Sequence, residues 1–555
     1  MSAETRANAM DHVILVLFEN RSLDNMLGQL YGPDSGKTFE GILGKDLSNP
    51  VPDWAEHQPP DGSGVVRAHV GTDLDAPCPD SGEEWFHTNT QVFGVMDEAN
   101  RFHSGPDIQP PWNTPPAGAK PTMKGFVEDY ISFFTWEMGR QPTFDEYKQI
   151  MQCYTPEQVP VLNGIARQFG VFDHWFSEVP SQTFPNRSFW TAATSTPLPT
   201  GGTINDPSSH YINDNTAETI FNRLEAHGRS WKVYIKEPAT VSFTGVIHWQ
   251  RLHDRFPTNF VSFEEFKKDA ANGALPDFSF LEPNLCLGHG DYHPAAGMAL
   301  YKGYDLPLDP PSSILSGEAF LDELFETYKS MTSPTGSNVW NTTLFIGWDE
   351  PGGTYDHVPP GPVPPPDPSA PAGQFGFTFD RSGYRVPAVI VSPWVEPGSV
   401  YNAEHRHTSM IATLRKVWDL GDPFTQRDAH AAPFDYVFTR EVPTDPELWE
   451  VPRATPLTPP QIDYVKADQT LSTLGKAMLP GIIAKAKQKG MALPPQVEDP
   501  NFHLTPQLAS DTITYIGTQI WPQLGPQGPA LDDLKKKIGA DLDAATKPLP
   551  PDPSS

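Results

Sequence analysis

The sequence predicts an α/β protein with a mainly parallel central sheet sandwiched by helices. Apolar, β-rich runs such as 13–18 and 344–348 continue without polar alternation, as is typical of parallel strands covered on both faces. These runs alternate along the chain with amphipathic segments of helical spacing. With 555 residues, 38% of them hydrophobic, the chain is long enough to bury a large core.

Each predicted element has its own local signal. The run at 13–18 contains six consecutive apolar residues, and a similar run precedes two acidic residues at 349 and 350. The helix at 155–168 begins with Thr, Pro and Glu, an order typical of a helix start, and the helix at 217–228 ends on glycine. The full set comprises strands at 13–18, 170–179, 230–236, 276–284, 342–350 and 385–394, and helices at 155–168, 217–228, 317–331 and 408–421.

The chain is predicted to divide into a main domain, 1–445, and a C-terminal appendage, 446–555. The main domain contains all the apolar strands, together with long loops rich in proline, of which 358–373 is the clearest. From 446 onward, short helical patterns alternate with proline-rich connectors. This pattern predicts a mostly helical appendage packed on the main domain, with a free tail at 547–555.

The composition excludes several classes of function. Lys and Arg total 39 and Asp and Glu total 69, so the formal net charge of −30 repels nucleic acids and anionic lipid. Three cysteines without CxxC spacing argue against a zinc ribbon and a disulfide framework. No apolar stretch precedes residue 13, and no window reaches the roughly 18 apolar residues of a membrane span. We expect a cytoplasmic chain as given, or a secreted or periplasmic one if a leader was removed. The oligomeric state is not predicted.

Two predicted strands end in pairs of oxygen-bearing side chains. Glu19 and Asn20 follow the first apolar run, and Asp349 and Glu350 follow the apolar run at 344–348. Ligands bind beyond the carboxyl ends of parallel strands, so these residues are informative. Burying three carboxylates together is costly unless a cation or protons offset the charge, and oxygen ligands suit Ca, Mg, Mn or, with fewer ligands, Zn. The alternative is that each pair is a solvated strand end.

The segment "VPSQTFPNRSFW" (179–190) contains a candidate nucleophile. Ser181 and Thr183 lie just ahead of Pro185, a residue that suits the first turn of a helix. A hydroxyl at a helix N-terminus is favourably placed to become an anion, and next to a divalent cation it could act as a nucleophile. Simple N-capping by Thr183 explains the same pattern without catalysis.

Several histidines and one acidic residue are further candidates. His293 lies in "GDYHP" just beyond a predicted strand, His87 lies in "EEWFH", and His248 lies in "VIHWQ". Asp356 and His357 follow a Gly-Gly turn that leads the chain back from the acidic strand end. A single histidine is usually a satisfied structural group, so the sequence leaves both interpretations open for each.

Taken together and in order, these motifs resemble a known family. "HVILVLFENRSLDNMLG", "YTPEQVPVLNGIARQFGVFDHWFSEVPSQTFPNRSFW", "LPDFSFLEPN", "DYHP", "TLFIGWDEPGGTYDHV" and "RVPAVIVSPW" are similar to the bacterial phosphoesterase family of phospholipase C-type enzymes and acid phosphatases. That family belongs to the alkaline phosphatase-like superfamily. The resemblance covers about residues 10 to 420 and implies an alkaline phosphatase-like fold and hydrolysis of a small phosphate ester or a phospholipid head group.

The resemblance also implies roles residue by residue. Thr183 matches the nucleophile, which would form a phosphothreonine intermediate and whose oxygen would also bind the metal. His87 and His293 match histidines that bind phosphate or protonate the leaving group. The resemblance implies one divalent metal ion (Ca, Mn, Zn or Mg), whose other ligands are Glu19, Asn20, Asp349 and Glu350. It also implies substrate contacts by His248, Asp356 and His357.

Two alternatives to this function remain. A non-catalytic, metal-stabilised binding protein could keep the same fold and the same ligands. A sulfatase-type relative would need a C/S-x-P-x-R pattern, which residues 183–187 lack. The chain also departs from the bacterial phospholipases C of the family, because it shows no leader and because residues 446–555 look helical and proline-rich.

Overall fold

The computed structural model describes residues 5–195, 202–205, 208–237, 239–285, 290–294, 313–456, 473–490, 506–525, 532, 533 and 536. Its strands are β1 (His12–Phe18), β2 (Ser48–Pro50), β3 (Val65–Arg67), β4 (His69–Val70), β5 (Gln152–Cys153), β6 (Gly170–Phe172), β7 (Trp175–Phe176), β8 (Trp231–Ile235), β9 (Phe260–Ser262), β10 (Phe278–Glu282), β11 (Thr342–Trp348), β12 (Ala388–Val391), β13 (Ser399–Tyr401) and β14 (His405–Arg406).

The helices of the described residues are α1 (Leu23–Leu27), α2 (Trp85–Phe93), α3 (Phe126–Met138), α4 (Phe144–Tyr147), α5 (Pro160–Gln168), α6 (Thr183–Ala192), α7 (Ser208–Asp214), α8 (Ile220–Ala226), α9 (Phe243–Ile247), α10 (Trp249–Leu252), α11 (Phe256–Asn259), α12 (Phe263–Asn272), α13 (Ile314–Lys329), α14 (Thr408–Trp418), α15 (Gln426–Ala429), α16 (Thr473–Gln488) and α17 (Pro506–Ile520).

An eight-stranded, mostly parallel sheet forms the centre of the fold. Its strand order is β13-β6-β12-β11-β1-β10-β8-β9. Strands β11, β1, β10, β8 and β9 run parallel to one another, whereas β12 runs antiparallel to both β11 and β6. The carboxyl ends of β1, β10 and β11 therefore lie at one edge, and the residues just before β12 lie at the same edge.

Helices cover both faces of this sheet. On one face, Gly347 of β11 leaves room for the indole of Trp190 in α6, since a Cβ added at Gly347 would lie 3.0 Å from that ring. On the other face, Phe18 of β1 contacts Phe320 of α13, with ring centroids 6.0 Å apart. Because side chains alternate along a strand, neighbouring residues of β1 and β11 contribute to both hydrophobic layers. The predicted α/β class with a mainly parallel sheet flanked by helices is confirmed.

Most predicted elements differ from the structure by a few residues at their ends, and two of them differ more. The segment 170–179, predicted as one strand, forms the short strands β6 and β7 in two different sheets. The chain turns between them at Asp173, whose carboxylate accepts hydrogen bonds from the Glu40 N–H and the Asn402 amide. The helix predicted at 155–168 begins only at Pro160, because Thr155 starts a hydrogen-bonded turn with Gln158.

Residues beyond 445 also pack on the sheet domain. The Trp449 ring lies 4.8 Å from that of Phe169, and Trp521, which follows α17, lies 4.7 Å from Phe256. The boundary at 445/446 stays a prediction, and the tail at 547–555 lies outside the described residues. Within the described part of the chain, no helix is both long enough and apolar enough to cross a membrane. Cys78 and Cys153 are free thiols.

Candidate metal centre and nucleophile

The two acidic strand ends lie side by side. Strands β1 and β11 are parallel neighbours, with Phe18 paired to Trp348, so Glu19 and Asp349 leave the sheet together. Both side chains are fully buried. The Asn20 backbone N–H donates to Asp349 Oδ1 over 3.4 Å. The structure thus brings together the two residue pairs that the sequence places at separate strand ends.

Arg187 of α6 connects the candidate nucleophile to these strand ends. Its Nε donates to Asp349 Oδ2 over 2.9 Å, and its Nη2 lies 3.3 Å from Glu19 Oε1. Thr183 is the first residue of α6 and precedes Arg187 by four positions, so both occupy the same face of the helix. No hydrogen bond to a described residue engages the Thr183 hydroxyl. The helix therefore presents that hydroxyl at its N-terminus, on the side facing the acidic strand ends.

Asn186 shapes the turn that leads into α6. Its Oδ1 accepts the N–H groups of Glu178 and Val179 over 3.0 and 3.1 Å, and its Nδ2 donates to the Ser181 and Gln182 carbonyls over 2.8 and 3.0 Å. The N-cap position belongs to Gln182, which makes no side-chain capping bond. The N-capping interpretation of Thr183 is therefore wrong, and its hydroxyl needs another explanation.

The charge and the unbonded oxygens of the site would suit a bound cation. Three buried oxygens accept no hydrogen bond from any described residue. They are the two carboxylate oxygens of Glu19 and the Oδ1 of Asn20. Burial raises the pKa of Glu19 well above its usual range, and the neighbouring carboxylates add to that rise while Arg187 opposes it. Burial likewise raises the pKa of Asp349 to about 6. The single guanidinium of Arg187 does not balance the charge of several buried carboxylates. The oxygens of Glu19 and Asn20 that accept no hydrogen bond are of the kind that divalent cations prefer as ligands.

Two further loops bring polar residues to the same edge. The loop after β10 carries Asp291, which is fully buried and raises the pKa of Glu19, and His293, whose Nε2 lies 3.0 Å from Asn20 Nδ2. The loop before α2 carries Asp80 and Glu83, and Glu83 accepts a hydrogen bond from Asn20 Nδ2. The sequence analysis missed Asp80, Glu83, Asp291 and Arg187. The motifs "PDSGEE", "DYHP" and "FPNR" contain them, but no strand end or helical spacing marks them as ligands.

Tyr292 and Arg21 hold these loops in place. The Tyr292 ring packs against Phe18 with centroids 4.9 Å apart, and its hydroxyl donates to buried Glu318 over 2.8 Å. Arg21 Nε donates to the Tyr292 carbonyl over 2.6 Å, and its Nη1 donates to the Ala76 carbonyl over 2.7 Å. One side chain next to Glu19 and Asn20 therefore fixes both polar loops against β1.

His87 and His248 lie among other partners. His87 Nδ1 is 2.8 Å from Asp129 Oδ1, and its Nε2 is 2.9 Å from the Ser104 hydroxyl. His248 Nε2 is 2.6 Å from the Thr191 hydroxyl, and burial lowers the pKa of His248 to about 3. Thr191 is eight residues beyond Thr183, which is about 12 Å along the helix axis. Neither histidine has a described contact with the acidic strand ends.

Asp356 and His357 belong to a neighbouring salt-bridge cluster. Arg385, fully buried just before β12, donates from Nε to Asp356 Oδ1 over 3.0 Å and from Nη2 to Asp24 Oδ1 over 2.9 Å. His357 Nδ1 lies 2.6 Å from Asp24 Oδ2, and its Nε2 lies 2.9 Å from Glu40 Oε1. These contacts join the segment after β1 to the segment after β11, and the substrate contacts of Asp356 and His357 stay a prediction.

We expect the Arg385→Met substitution to lower the free energy of unfolding by about 3–5 kcal/mol, because it leaves two buried carboxylates without their cation. Urea denaturation followed by circular dichroism measures the change. Arg453→Met is the matched control. It removes an ion pair with Asp322 in which the Arg453 side chain is largely exposed, and is expected to cost about 1 kcal/mol or less. Equal losses in the two variants would contradict the structural role of the cluster.

The sequence of the chain is similar to those of a known family and of several named enzymes. The Phosphoesterase family matches residues 10–421. Non-specific phospholipase C6 of Arabidopsis thaliana is 30% identical over 439 residues, which cover 77% of this chain and 71% of the relative. Non-specific phospholipase C3 of the same plant is 28% identical over 468 residues, covering 81% and 77%. Phospholipase C B of Mycobacterium tuberculosis is 25% identical over 364 residues, covering 60% and 64%.

Solved structures show only distant likeness. A protein in the alkaline phosphatase superfamily from Vibrio parahaemolyticus has a TM-score of 0.29 at 13% identity, covering 49% of this chain and 63% of its own. The lipoteichoic acid synthase LtaP from Listeria monocytogenes has a TM-score of 0.30 at 11% identity, covering 51% and 69%. TM-scores this low do not show that the chain shares the fold of either protein.

Proposed function

The chain belongs to the Phosphoesterase family, and from that membership we propose that it hydrolyses phosphate esters at a divalent cation, with Thr183 as the nucleophile. The observation that carries the proposal is the buried Glu19 carboxylate. Its oxygens accept no hydrogen bond from a described residue, and it lies beside Asp349 and the Arg187 that shares a helix face with Thr183. Phosphoryl transfer to a side-chain hydroxyl is favoured by this combination of a site for a positive ion and a hydroxyl beside it.

The residues that would hold the cation are those at the two strand ends and the first residue of α6. This set comprises Glu19, Asn20, Thr183, Asp349 and Glu350. When bound, the cation supplies positive charge that stabilises an alkoxide and the phosphoryl oxygens. Oxygen ligands suit Ca, Mg or Mn, and Zn where fewer of them bind. The Asn20 backbone has a φ of 60°, a conformation that asparagine tolerates better than most residues.

The reaction follows from the position of Thr183. The Thr183 hydroxyl loses its proton to solvent, and its Oγ1 attacks phosphorus in line with the leaving alcohol. A P–O bond to Thr183 forms as the bond to the alcohol breaks, and the alcohol oxygen takes up a proton. Water then attacks the phosphothreonine and restores the hydroxyl. Arg187 keeps the N-terminus of α6 against the strand ends throughout, and the helix N-terminus favours the negative charge that develops on the threonine oxygen.

Negative charge develops on the oxygen of the leaving alcohol as its bond to phosphorus breaks, and a donated proton or a nearby positive charge would balance it. Of the two histidines expected for this task, only His293 has a described contact with the site, through Asn20. Its Nδ1 lies 2.7 Å from the Pro294 carbonyl, so Nδ1 carries the proton and Nε2 is left as the acceptor of the Asn20 amide hydrogen. The role of His87 would be to support the loop that carries Glu83, through its helix α2.

The substrate would be a small phosphate ester or a phospholipid head group. Phospholipase C relatives support this class, and no lysine- or arginine-rich stripe in the sequence favours nucleic acid. We keep as predictions the alkaline phosphatase-like fold, the proline-rich loops, the helical appendage after 445 and the cytoplasmic location of the chain as given.

A kinetic panel tests the proposed function. The full chain is stripped with EDTA, and Ca, Mg, Mn or Zn is restored before assay with a phosphocholine lipid, a nucleotide monoester and simple phosphodiesters. We expect no turnover in the stripped protein and restored turnover of at least one ester with at least one metal. Metal binding without hydrolysis of any ester would support the non-catalytic binding protein instead.

We expect Gly352→Ala to weaken metal binding by about 10-fold or more, because it displaces a ligand. Gly352 has a φ of 60°, and a Cβ there would lie 2.3 Å from the Asn20 carbonyl oxygen. Isothermal titration with Mn measures the affinity. Gly361→Ala is the matched control, since a Cβ at Gly361 meets nothing within 4 Å. An unchanged affinity in the Gly352 variant would count against Asn20 as a ligand.

A further inference from the structure

We propose that Glu178, Thr408 and Arg427 are positioning residues for Thr183. They fix the turn at 178–182, which leads into α6, against the N-terminus of α14, and they act without contacting the substrate. The inference rests on the proposed function, because it assigns these residues a task toward the nucleophile. It concerns how the hydroxyl is held in place and adds no group that binds the cation or the phosphate.

The ion pair between Glu178 and Arg427 is fully buried beside this turn. Arg427 Nη1 lies 2.5 Å from Glu178 Oε2, and neither side chain has exposed surface. The same Nη1 donates to the main-chain carbonyl of Glu178 over 2.7 Å, so one guanidinium fixes both the side chain and the backbone where the turn begins. Burial alone would raise the pKa of Glu178, but Arg427 and Arg406 outweigh burial and hold that pKa below its usual range. The carboxylate therefore stays ionised and paired.

Arg427 also connects the turn to three other segments. Its Nη2 donates to the Phe379 carbonyl and its Nε donates to the Pro364 carbonyl, each over 2.6 Å. Its guanidinium carbon lies 5.2 Å from the ring centroid of Phe189, which belongs to α6. A planar guanidinium holds its donors in a fixed arrangement, so the acceptors around it are fixed relative to one another. One side chain therefore joins the turn, the body of α6 and two loops.

The N-terminus of α14 holds the other oxygen of Glu178. Thr408, the first residue of α14, donates to Glu178 Oε1 from its backbone N–H over 2.8 Å and from its hydroxyl over 2.5 Å. The first N–H groups of a helix have no partner within the helix, and the helix dipole favours a negative charge there. Hydrogen bonds to an ionised carboxylate are short and strong. Both oxygens of Glu178 are therefore held by fixed donors.

His407, which precedes Thr408, contacts the acidic strand end. The Trp175 indole N–H donates to His407 Nδ1 over 3.2 Å, so Nε2 carries the ring proton and donates to the Asp349 main-chain carbonyl over 2.6 Å. The imidazole also stacks on Trp190 of α6, with centroids 4.5 Å apart. Two consecutive residues at the start of α14 thus bond the strand end and the nucleophile turn, and they set the distance between these two halves of the site.

These contacts supply a fixed point that the helix does not supply by itself. Asn186 lies on α6, so its hydrogen bonds fix the shape of the turn but move with the helix. Arg187 bonds the strand ends one helical turn beyond Thr183. Glu178 fixes the chain just before Thr183, and the hydroxyl is thereby held from both sides. A displacement of about 1 Å in a reacting group can lower a rate by about 10²-fold, so this support should be visible in kcat.

Matched threonine variants test the inference. Thr408→Val removes the hydroxyl that bonds Glu178 and keeps the size of the side chain and the backbone N–H. We expect it to lower kcat by about 10-fold, while the calorimetric Kd for Mn²⁺ changes by less than about threefold. Thr408→Ser should restore nearly full kcat. Each variant is assayed as the full chain, with the metal restored and with every ester of the kinetic panel.

Thr413→Val is the matched control, because Thr413 is a fully buried residue of the same helix. Its hydroxyl donates to the Ser409 carbonyl over 2.7 Å and accepts the Phe434 N–H over 2.9 Å, away from the nucleophile turn. We expect this variant to lose a similar amount of Tm and to keep its kcat. A residue that only stabilises the fold would lower Tm in both valine variants and change kcat in neither.

Glu178→Gln should have a larger effect, with kcat lowered by about 10²-fold, because an amide N–H would then face the Arg427 guanidinium. If this variant does not fold, the threonine variants decide. Equal kcat values in Thr408→Val and Thr413→Val, or no recovery in Thr408→Ser, would overturn the inference and leave the proposed function intact. No turnover of any ester by the unaltered protein with any metal would refute the proposed function, and the inference with it.

Discussion

Replacing Thr183 with alanine is expected to lower kcat for phosphate ester hydrolysis by about 10³-fold or more, because the change removes the atom that attacks phosphorus. The fold should survive, since the Thr183 hydroxyl makes no hydrogen bond to a described residue and alanine suits the first turn of α6. Steady-state assay of the preferred ester in the panel, with the metal restored, measures the effect.

Two variants control for this result. Thr183→Ser keeps the hydroxyl and should retain activity within about 10-fold. Thr191→Ala removes another threonine hydroxyl from the same helix, one that lies 2.6 Å from His248 Nε2, away from the strand ends. Its folded fraction should keep nearly full turnover. Turnover by Thr183→Ala within a few-fold of the unaltered protein would exclude Thr183 as the nucleophile.

Glu19→Gln is expected to abolish the metal-dependent rise in Tm and to lower turnover by about 10²-fold or more. The carboxylate is the ligand with the least compensation from the protein, because its described ion pair is with Arg187 alone. A cation at 100 times its Kd would stabilise the unaltered protein by about 2.7 kcal/mol, which a thermal melt with and without EDTA detects.

The melting temperature of the metal-free protein distinguishes loss of a metal ligand from general destabilisation. Glutamine keeps the shape of the side chain and removes one negative charge from a group of buried carboxylates, so the metal-free variant should melt no lower than the metal-free protein. Glu40→Gln is the control, since Glu40 contacts Lys45 and His357 on a half-exposed surface. It should keep the full metal-dependent rise. A full rise in Glu19→Gln would exclude Glu19 as a ligand.

The sheet and the residues at its two acidic strand ends could be predicted from the sequence, because buried parallel strands leave a recognisable pattern. Parallel strands buried on both faces are recognisable as apolar runs, and their carboxyl ends lie at one edge, so Glu19, Asn20, Asp349 and Glu350 could be grouped without a structure. The pairing of β1 with β11 confirms this grouping. The same reasoning does not show that β12 runs antiparallel, since an apolar run contains no information about direction.

The remaining residues could not be assigned from local sequence. Asp80 and Glu83 come from a loop-rich stretch without periodicity, and Asp291 follows a strand by nine residues. The histidines show the converse difficulty. His87 and His248 lie in suggestive motifs, but their partners Asp129 and Thr191 are 42 and 57 residues away in the chain. Only tertiary contacts distinguish a histidine at the site from one bonded elsewhere.

The most direct test of the central claim is detection of the phosphothreonine. The metal-loaded protein is mixed with excess ester, quenched in acid during turnover and digested, and the peptide containing residues 183–187 is analysed by mass spectrometry. We expect this peptide to carry one phosphoryl group on Thr183, and the group to be absent in Thr183→Ala and in protein quenched without metal. An active enzyme whose peptide stays unmodified under rapid quench, or carries the phosphoryl group on another residue, would contradict the account.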